Sequence, residues 1–346
     1  MSKYLALVAA LLQGLVLAYM AAEREWVLRT GRVVYLRTAP LDPRDVMRGD
    51  YVRLDYEVSR VPRTSWRDGL AVSDDASPAV PRDTKVYAVL RETEDGLAEL
   101  VSLSDLRPAD GLFLRGRANP WWRGNLIGVR YGIEGYFLEQ GRAKDLELQR
   151  SRGGVQIPLE MAVAIGGNGL AVIKDHRWSA VGIGLELESR PQTSEAGAGP
   201  PGGLVSAKVH LLNASEDDVA IVDLPGGRAL ALVPDQRFND DSWGWARHSA
   251  PVPDAKPEDV VVLRPGQIHT IPIDFQDPAW FIVDLNKPGE AAVSLARTEA
   301  NRLWGAMFRF EYRPPDRKAC QQLPHASLIW HGRLLSRGFG PTGRVD

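Results

Sequence analysis

Residues 4–22 read YLALVAALLQGLVLAYMAA, a run without a single charge in which Gln13 is the one strongly polar member. An α-helix rises about 1.5 Å per residue, so this run spans roughly 28 Å, close to the ~30 Å hydrocarbon core of a bilayer. Within lipid its backbone amides can be satisfied internally only as a helix. Tyr4, Tyr19 and Trp26 fall where interfacial aromatic residues sit. Residues 1–25 are therefore read as a single transmembrane anchor. The competing readings are a cleaved signal peptide and a buried core helix. A cut after Ala22 or Ala21 would place Met20 or Tyr19 at the −3 position, which a signal peptidase site fills with a small residue.

Past Trp26 the periodicity changes to that of strands. Residues 32–37 (RVVYLR) form a short apolar run, and residues 51–58 (YVRLDYEV) alternate large or apolar with charged side chains, the period-2 pattern of a half-buried strand. Residues 85–90 and 98–103 flank Glu94-Asp95-Gly96, a hairpin signal. Residues 113–117, 126–131, 160–165 and 170–173 read as further strands, and residues 145–150 as a short helix. Residues 189–203 (SRPQTSEAGAGPPGG) have linker composition. After them come eight short strand candidates, at 205–212, 219–224, 229–233, 260–263, 269–275, 280–283, 305–312 and 326–332, with a helix expected at 295–304. Regular short strands with Pro-Gly turns point to a β-sandwich. The expected chain is mainly β: an anchor over 1–25, a β-rich domain over 26–188, a linker over 189–203 and a β-sandwich-like domain over 204–346.

Composition removes several function classes. The chain has 346 residues, a formal net charge of −2 and 44% hydrophobic residues, enough to bury a large core and far from a polycation built for nucleic acid. The single cysteine, Cys320, forbids an internal disulfide and any metal site needing two thiolates, and reads as a structural thiol. His176, His210, His248 and His269 are isolated, and His325 and His331 read as opposite ends of a strand, so no metal and no cofactor is expected. Trp243, Trp245, Trp280, Trp304 and Trp330 fit a sandwich core better than a ligand-binding surface, and Trp121 and Trp122 invite the same choice.

One segment is dense in turn and charge chemistry: Leu41-Asp42-Pro43-Arg44-Asp45-Val46-Met47-Arg48-Gly49-Asp50-Tyr51-Val52-Arg53-Leu54-Asp55-Tyr56. Pro43 sets a turn, and Asp42 can accept backbone amides beside it. Here the chain resembles the bacterial family named for its Gly-Asp-Tyr-x-x-Leu-x-Tyr motif, with Gly49, Asp50, Tyr51, Leu54 and Tyr56 in the matching positions. Asp42-Pro43-Arg44-Asp45 is similar to that family's lead-in, and Tyr131-Gly132-Ile133-Glu134-Gly135-Tyr136-Phe137-Leu138-Glu139 to its second recurrent block. The resemblance covers about residues 4–175. It implies a membrane anchor, an exported body and a multi-spanning membrane protein as partner beside the lipid bilayer. It implies no reaction.

Read as chemistry, Asp42, Asp45, Asp50, Glu134 and Glu139 offer paired carboxylates, which do acid–base work only in one shared cleft. Read as structure, they cap amides and pair with Arg44 and Arg48, and a binding surface lies between the two. Signal peptidases resemble this layout, a Gly-Asp segment behind an anchor, but Leu41 occupies the position of their nucleophile and cannot attack. The expectation is a membrane-anchored, non-enzymatic, extracytoplasmic binding or assembly protein of a bacterial inner membrane, with its body in the periplasm. An anchored hydrolase using carboxylates near Asp45 and Glu134 is the alternative. Arg24, Arg29, Arg32 and Arg37 after the apolar run favour a cytoplasmic body on the positive-inside count, a weak signal ahead of a long domain.

Overall fold

The computed structural model describes residues 2–38, 51–70, 80–120, 126–137, 149–189, 204–235, 245–247, 253–277, 280–284, 293–294, 307–340 and 345. The fold is mainly β, built of several sheets behind an N-terminal apolar helix. The chain divides into two compact units, Met1–Ala143 with Leu159–Arg177, and Lys144–Pro158 with Trp178–Asp346.

Unit 1 begins with α1, Ser2–Thr30. Its strands are β1 (Arg32–Arg37), β2 (Tyr51–Arg53), β3 (Arg60–Pro62), β4 (Lys85–Glu92), β5 (Ala98–Ser104), β6 (Phe113–Pro120), β7 (Leu126–Arg130) and β8 (Gly135–Phe137). After β9 (Ser151–Arg152) and β10 (Val155–Gln156), which belong to unit 2, the chain returns as β11 (Leu159–Ile165) and β12 (Ala171–Trp178). The sheet orders are β1-β11-β12, β2-β8 and β3-β7-β6-β4-β5. The sheets share one core, to which β1 gives Val34 and Leu36, β4 Val86 and Ala88, β6 Leu114, β7 Ile127 and Val129, and β11 Met161 and Val163. Strand β11, central in its sheet, is buried over nearly its whole length, with an apolar run from Met161 to Ile165 after the buried Glu160.

Strand β1 and the 93–97 hairpin turn lie where the sequence places them: the Thr93 amide donates to the Leu97 carbonyl, with Gly96 at φ +80°. Residues 51–58 differ from the single strand expected. Only Tyr51–Arg53 forms a strand, paired with β8; Tyr56 makes an isolated antiparallel bridge to Thr38, and Glu57–Ser59 is a 3₁₀ turn closed by the Ser59 amide on the Tyr56 carbonyl. The period-2 burial persists nonetheless, with Leu54, Tyr56 and Val58 all in the core.

In unit 2, β13 (Val181–Ser189), β14 (Leu204–Asn213) and β19 (Ile268–Asp274) form a five-stranded sheet with β10 and β9, in the order β19-β14-β13-β10-β9. The other strands are β15 (Val219–Val222), β16 (Leu230–Pro234), β17 (Trp245–Arg247), β18 (Val260–Leu263), β20 (Phe281–Asp284), β21 (Val293–Ser294), β22 (Phe308–Tyr312) and β23 (Leu334–Leu335), with a one-turn helix α2 (Arg317–Cys320) between the last two. They form three small sheets, β15-β18, β16-β22-β23 and β17-β20-β21. Val181, Ile183, Val209, Leu211 and Ile271 of the large sheet share a core with Ile221, Leu230, Leu232, Phe308 and Phe310 of the small ones. Phe310 stacks on Phe339 at 5.1 Å between ring centroids and meets Trp280 edge-on at 5.5 Å. Trp280 is thus a core residue, and Trp330 stacks on Tyr312.

Residues 326–332 are not the strand expected from their sequence. His325 takes φ +57°, and Ala326–Leu328 is a 3₁₀ turn from which only Ile329 bridges, to Ala220. Strand β13 is a strand that the sequence reading did not single out. The expected linker 189–203 begins at the last residue of β13. Residues 190–203 lie outside the described residues, and the strands on either side of them, β13 and β14, are paired. The expected helix at 295–304, most of that at 145–150, and Trp121, Trp122, Trp243, Trp304 and His248 also lie outside the described residues.

Candidate functional site

Of the motif residues, Asp42, Arg44, Asp45, Gly49 and Asp50 lie outside the described residues, as does Glu139 of the second block. Tyr51, Leu54, Tyr56, Tyr131 and Glu134 are described, and the two blocks they belong to are knitted together. Strand β2 runs antiparallel to β8, with Tyr51 opposite Phe137 and Arg53 opposite Gly135. Where that pairing ends, the Leu54 amide donates to the Glu134 carbonyl at 2.7 Å.

One tyrosine from each block, Tyr56 and Tyr131, forms a reciprocal clamp. The Tyr56 hydroxyl donates to the Ile133 carbonyl at 2.8 Å, and the Tyr131 hydroxyl donates to the Val58 carbonyl at 2.8 Å. Each block therefore inserts a tyrosine into the core, Tyr56 tied to the backbone of the second block and Tyr131 to the backbone two residues past Tyr56. Burial, reinforced by the negative charge of Glu134, pushes both phenols well above their usual range, so both hydroxyls remain protonated donors. Neither is poised as a base.

Glu134 is committed to the same knot. Its carboxylate accepts the Tyr131 amide at 2.5 Å and the Gly132 amide at 3.0 Å. Gly132 sits at φ +82°, a left-handed turn that a side chain would strain and that lets the carboxylate reach back two and three residues. A carboxylate holding two backbone amides is a turn cap. Asp55 pairs with Arg60 within the same region.

The polar chemistry most deeply buried in unit 1 lies elsewhere. Glu160 is 2% exposed and takes Arg37 on one oxygen at 2.7 Å and Arg177 on the other at 2.8 Å. Arg177 also lies 3.5 Å above the Tyr35 ring and donates to the Asp95 carbonyl. Sequence reading missed this triad. Arg37 and Glu160 are partners because they are in register across β1 and β11, a relation over 123 positions that no local pattern carries. Unit 2 has a comparable buried pair, Arg309 with Asp235 at 2.6 Å. Such buried pairs are costly to break, yet weak evidence of net stabilisation.

The described histidines are dispersed. His176 bonds Tyr136 at 3.1 Å, His210 bonds Thr270 at 2.9 Å, and His269 pairs with Asp223 at 2.7 Å. Among the described residues no group of three or more His, Cys, Asp or Glu side chains has a metal-holding arrangement. Cys320 is buried, its thiol 3.7 Å from the Pro315 carbonyl, and burial, with Asp316 nearby, raises its pKa.

Residues 13–175 match the family model described as GDYXXLXY protein. The match takes in the second half of the apolar run, the motif, the second block and strands β11 and β12 up to Asp175. No curated protein and no solved structure matches the chain.

Proposed function

We propose that the protein is a membrane-anchored binding or assembly protein of a bacterial envelope, non-enzymatic, with its folded body on the extracytoplasmic side of the inner membrane and a multi-spanning membrane protein as its partner. The observation that carries the anchored reading is the state of α1. Leu5, Leu11, Leu15, Leu17 and Tyr19 are 61–70% exposed, and the most apolar 18-residue stretch within the membrane-length span Tyr4–Thr30 is 0% buried. Five such side chains in water would forgo roughly 1.5–3 kcal/mol each, a cost that lipid removes.

The non-enzymatic reading is supported by the knot. Tyr56, Tyr131 and Glu134, the described side chains best placed by type for acid–base work, are spent on backbone groups. The hydrolase reading requires Glu134 to face a carboxylate near Asp45 across a cleft, and the carboxylate of Glu134 instead caps its own turn. The extracytoplasmic side and the multi-spanning partner follow the family resemblance. Two reporters fused after Gly343, one active only inside and one only outside the cytoplasmic membrane, test the orientation. Activity of the inside reporter alone would overturn the exported body. Cross-linking from intact membranes, with a multi-spanning protein as the expected product, tests the partner.

A further inference from the structure

We infer that one rim of unit 1 is itself a membrane-binding surface, seated on phospholipid headgroups through the loop after β5 and the β11–β12 turn. The inference rests on α1 being a retained anchor. It goes beyond that reading by assigning lipid contact to residues remote from the helix in sequence.

The helix is not a flexible tether. α1 ends at Thr30 and β1 begins at Arg32, leaving one residue between them. That residue, Gly31, donates its amide to the Val27 carbonyl, and a Cβ there would lie 2.6 Å from the same oxygen and 3.1 Å from the backbone of Ile165. Val27 is 4% exposed. The last turn of α1 is thus packed directly on β11, which fixes the depth of unit 1 along the helix axis.

The charge-free run ends at Ala22, so Glu23 marks the edge of the hydrocarbon. The Asn168 side chain, at the tip of the β11–β12 turn, donates to the Glu23 carboxylate at 2.9 Å. The turn tip therefore sits at the level of the first headgroups. Arg107 donates to the Gly167 carbonyl of that tip at 3.1 Å, which brings the loop after β5 to the same level. Beside it Leu106 is a large apolar side chain that stands 61% exposed. Trp26, 69% exposed, lies about 4.5 Å further along the helix than Glu23, inside the headgroup layer. An apolar residue next to an arginine, with an exposed tryptophan less than one helical turn further out, fits a phospholipid surface: Leu106 enters the interfacial region and Arg107 bonds headgroup phosphate.

The test uses the full chain with Cys320→Ser, reconstituted in vesicles of phosphatidylcholine and phosphatidylglycerol. An environment-sensitive fluorophore is placed at Leu106→Cys, and at Lys174→Cys as comparator, four residues beyond Leu170 and about 13 Å along β12 from the turn. Lipids carrying a quencher at the headgroup should quench Leu106→Cys several-fold more than Lys174→Cys. Replacing Arg107 by Glu in the Leu106→Cys chain should bring the two signals together. Equal quenching at both positions before that replacement overturns the inference. Flotation of the same vesicles in alkaline carbonate separates this result from the anchor itself. A chain with intact Met1 that stays behind removes the anchor, whereas one that floats with Leu106 unquenched removes only the docked rim.

Discussion

The reciprocal tyrosine clamp makes a quantitative demand. Tyr56→Phe keeps the ring that fills the core and deletes only the hydroxyl, so no cavity forms. What is lost is the 2.8 Å bond to the Ile133 carbonyl, and Ile133 is 3% exposed. Water cannot easily replace the donor there, so the cost is that of a bond removed with its partner left buried, about 1–2 kcal/mol. That corresponds to roughly a 5–30-fold rise in the population opened between the blocks. Hydrogen exchange reads this directly through the amides that close the knot: Leu54 on the Glu134 carbonyl, and Tyr131 and Gly132 on the Glu134 carboxylate. All three should accelerate together in Tyr56→Phe, and likewise in Tyr131→Phe, which orphans the Val58 carbonyl. The double variant should fall short of or exceed the sum of the two, because the hydroxyls tie the same two segments. The Val222 amide, held by Tyr312 in the other unit, is the internal reference. If exchange at Leu54, Tyr131 and Gly132 stays within twofold of the parent, the hydroxyls do not hold the blocks together, and the structural reading of the motif falls.

Glu134→Gln keeps one acceptor oxygen and loses the charge and the second acceptor. It should destabilise unit 1 by about 1–2 kcal/mol in denaturant titration, and a neutral result would free Glu134 for another role. Tyr56, Tyr131 and Tyr312 all have phenol pKa values raised by burial, so the folded state holds protons that the unfolded chain begins to release near pH 10. Their stabilising contribution is complete below that pH and declines as pH rises above it, so phenolate absorbance should grow cooperatively with loss of structure rather than before it. Gly31→Ala forces a Cβ against the Val27 and Ile165 backbone and should cost about 1–3 kcal/mol, seen as a lower thermal midpoint of unit 1. Cys320 is 1% exposed with a raised pKa, so a maleimide should modify it only as fast as unit 2 opens, and rapid labelling of the native chain would contradict its burial.

Local pattern carried the apolar helix, β1 and β18 with their observed limits, and the 93–97 hairpin, because each is decided by residues within a few positions of one another. The alternation read over 51–58 survives in the burial of Leu54 and Tyr56. It overextended the strand at 51–58, since the amides of Leu54 and Ser59 find partners in a remote carbonyl and a local turn, which alternation does not encode. Glu134 was recognisable as important from its block, yet its carboxylate could equally have served chemistry. Its commitment to two amides depends on Gly132 adopting a left-handed turn. The Arg37–Glu160–Arg177 triad left no trace in the sequence, because strand register, rather than spacing, creates it.

The path of the chain decides how the protein can be divided for experiment. The family match ends at residue 175, close to the end of unit 1 at Arg177. Unit 1 cannot be cut at Ala143, however. Strand β11 is the central member of β1-β11-β12, so removing Leu159–Arg177 would expose Val34 and Leu36 and strip the surface against which Val27 packs. A cut among residues 190–203 is no safer for unit 2. β13 and β14 pair from Val181 opposite Asn213 to Ser189 opposite Leu204, and the cut would leave β13 on one fragment and its partner on the other. Residues 144–158 add a further tie, as β10 pairs with β13 within unit 2 while flanked on both sides by segments of unit 1. The two cores are distinct, but three chain crossings join them, so binding and docking are properties to be measured on the intact chain in a membrane.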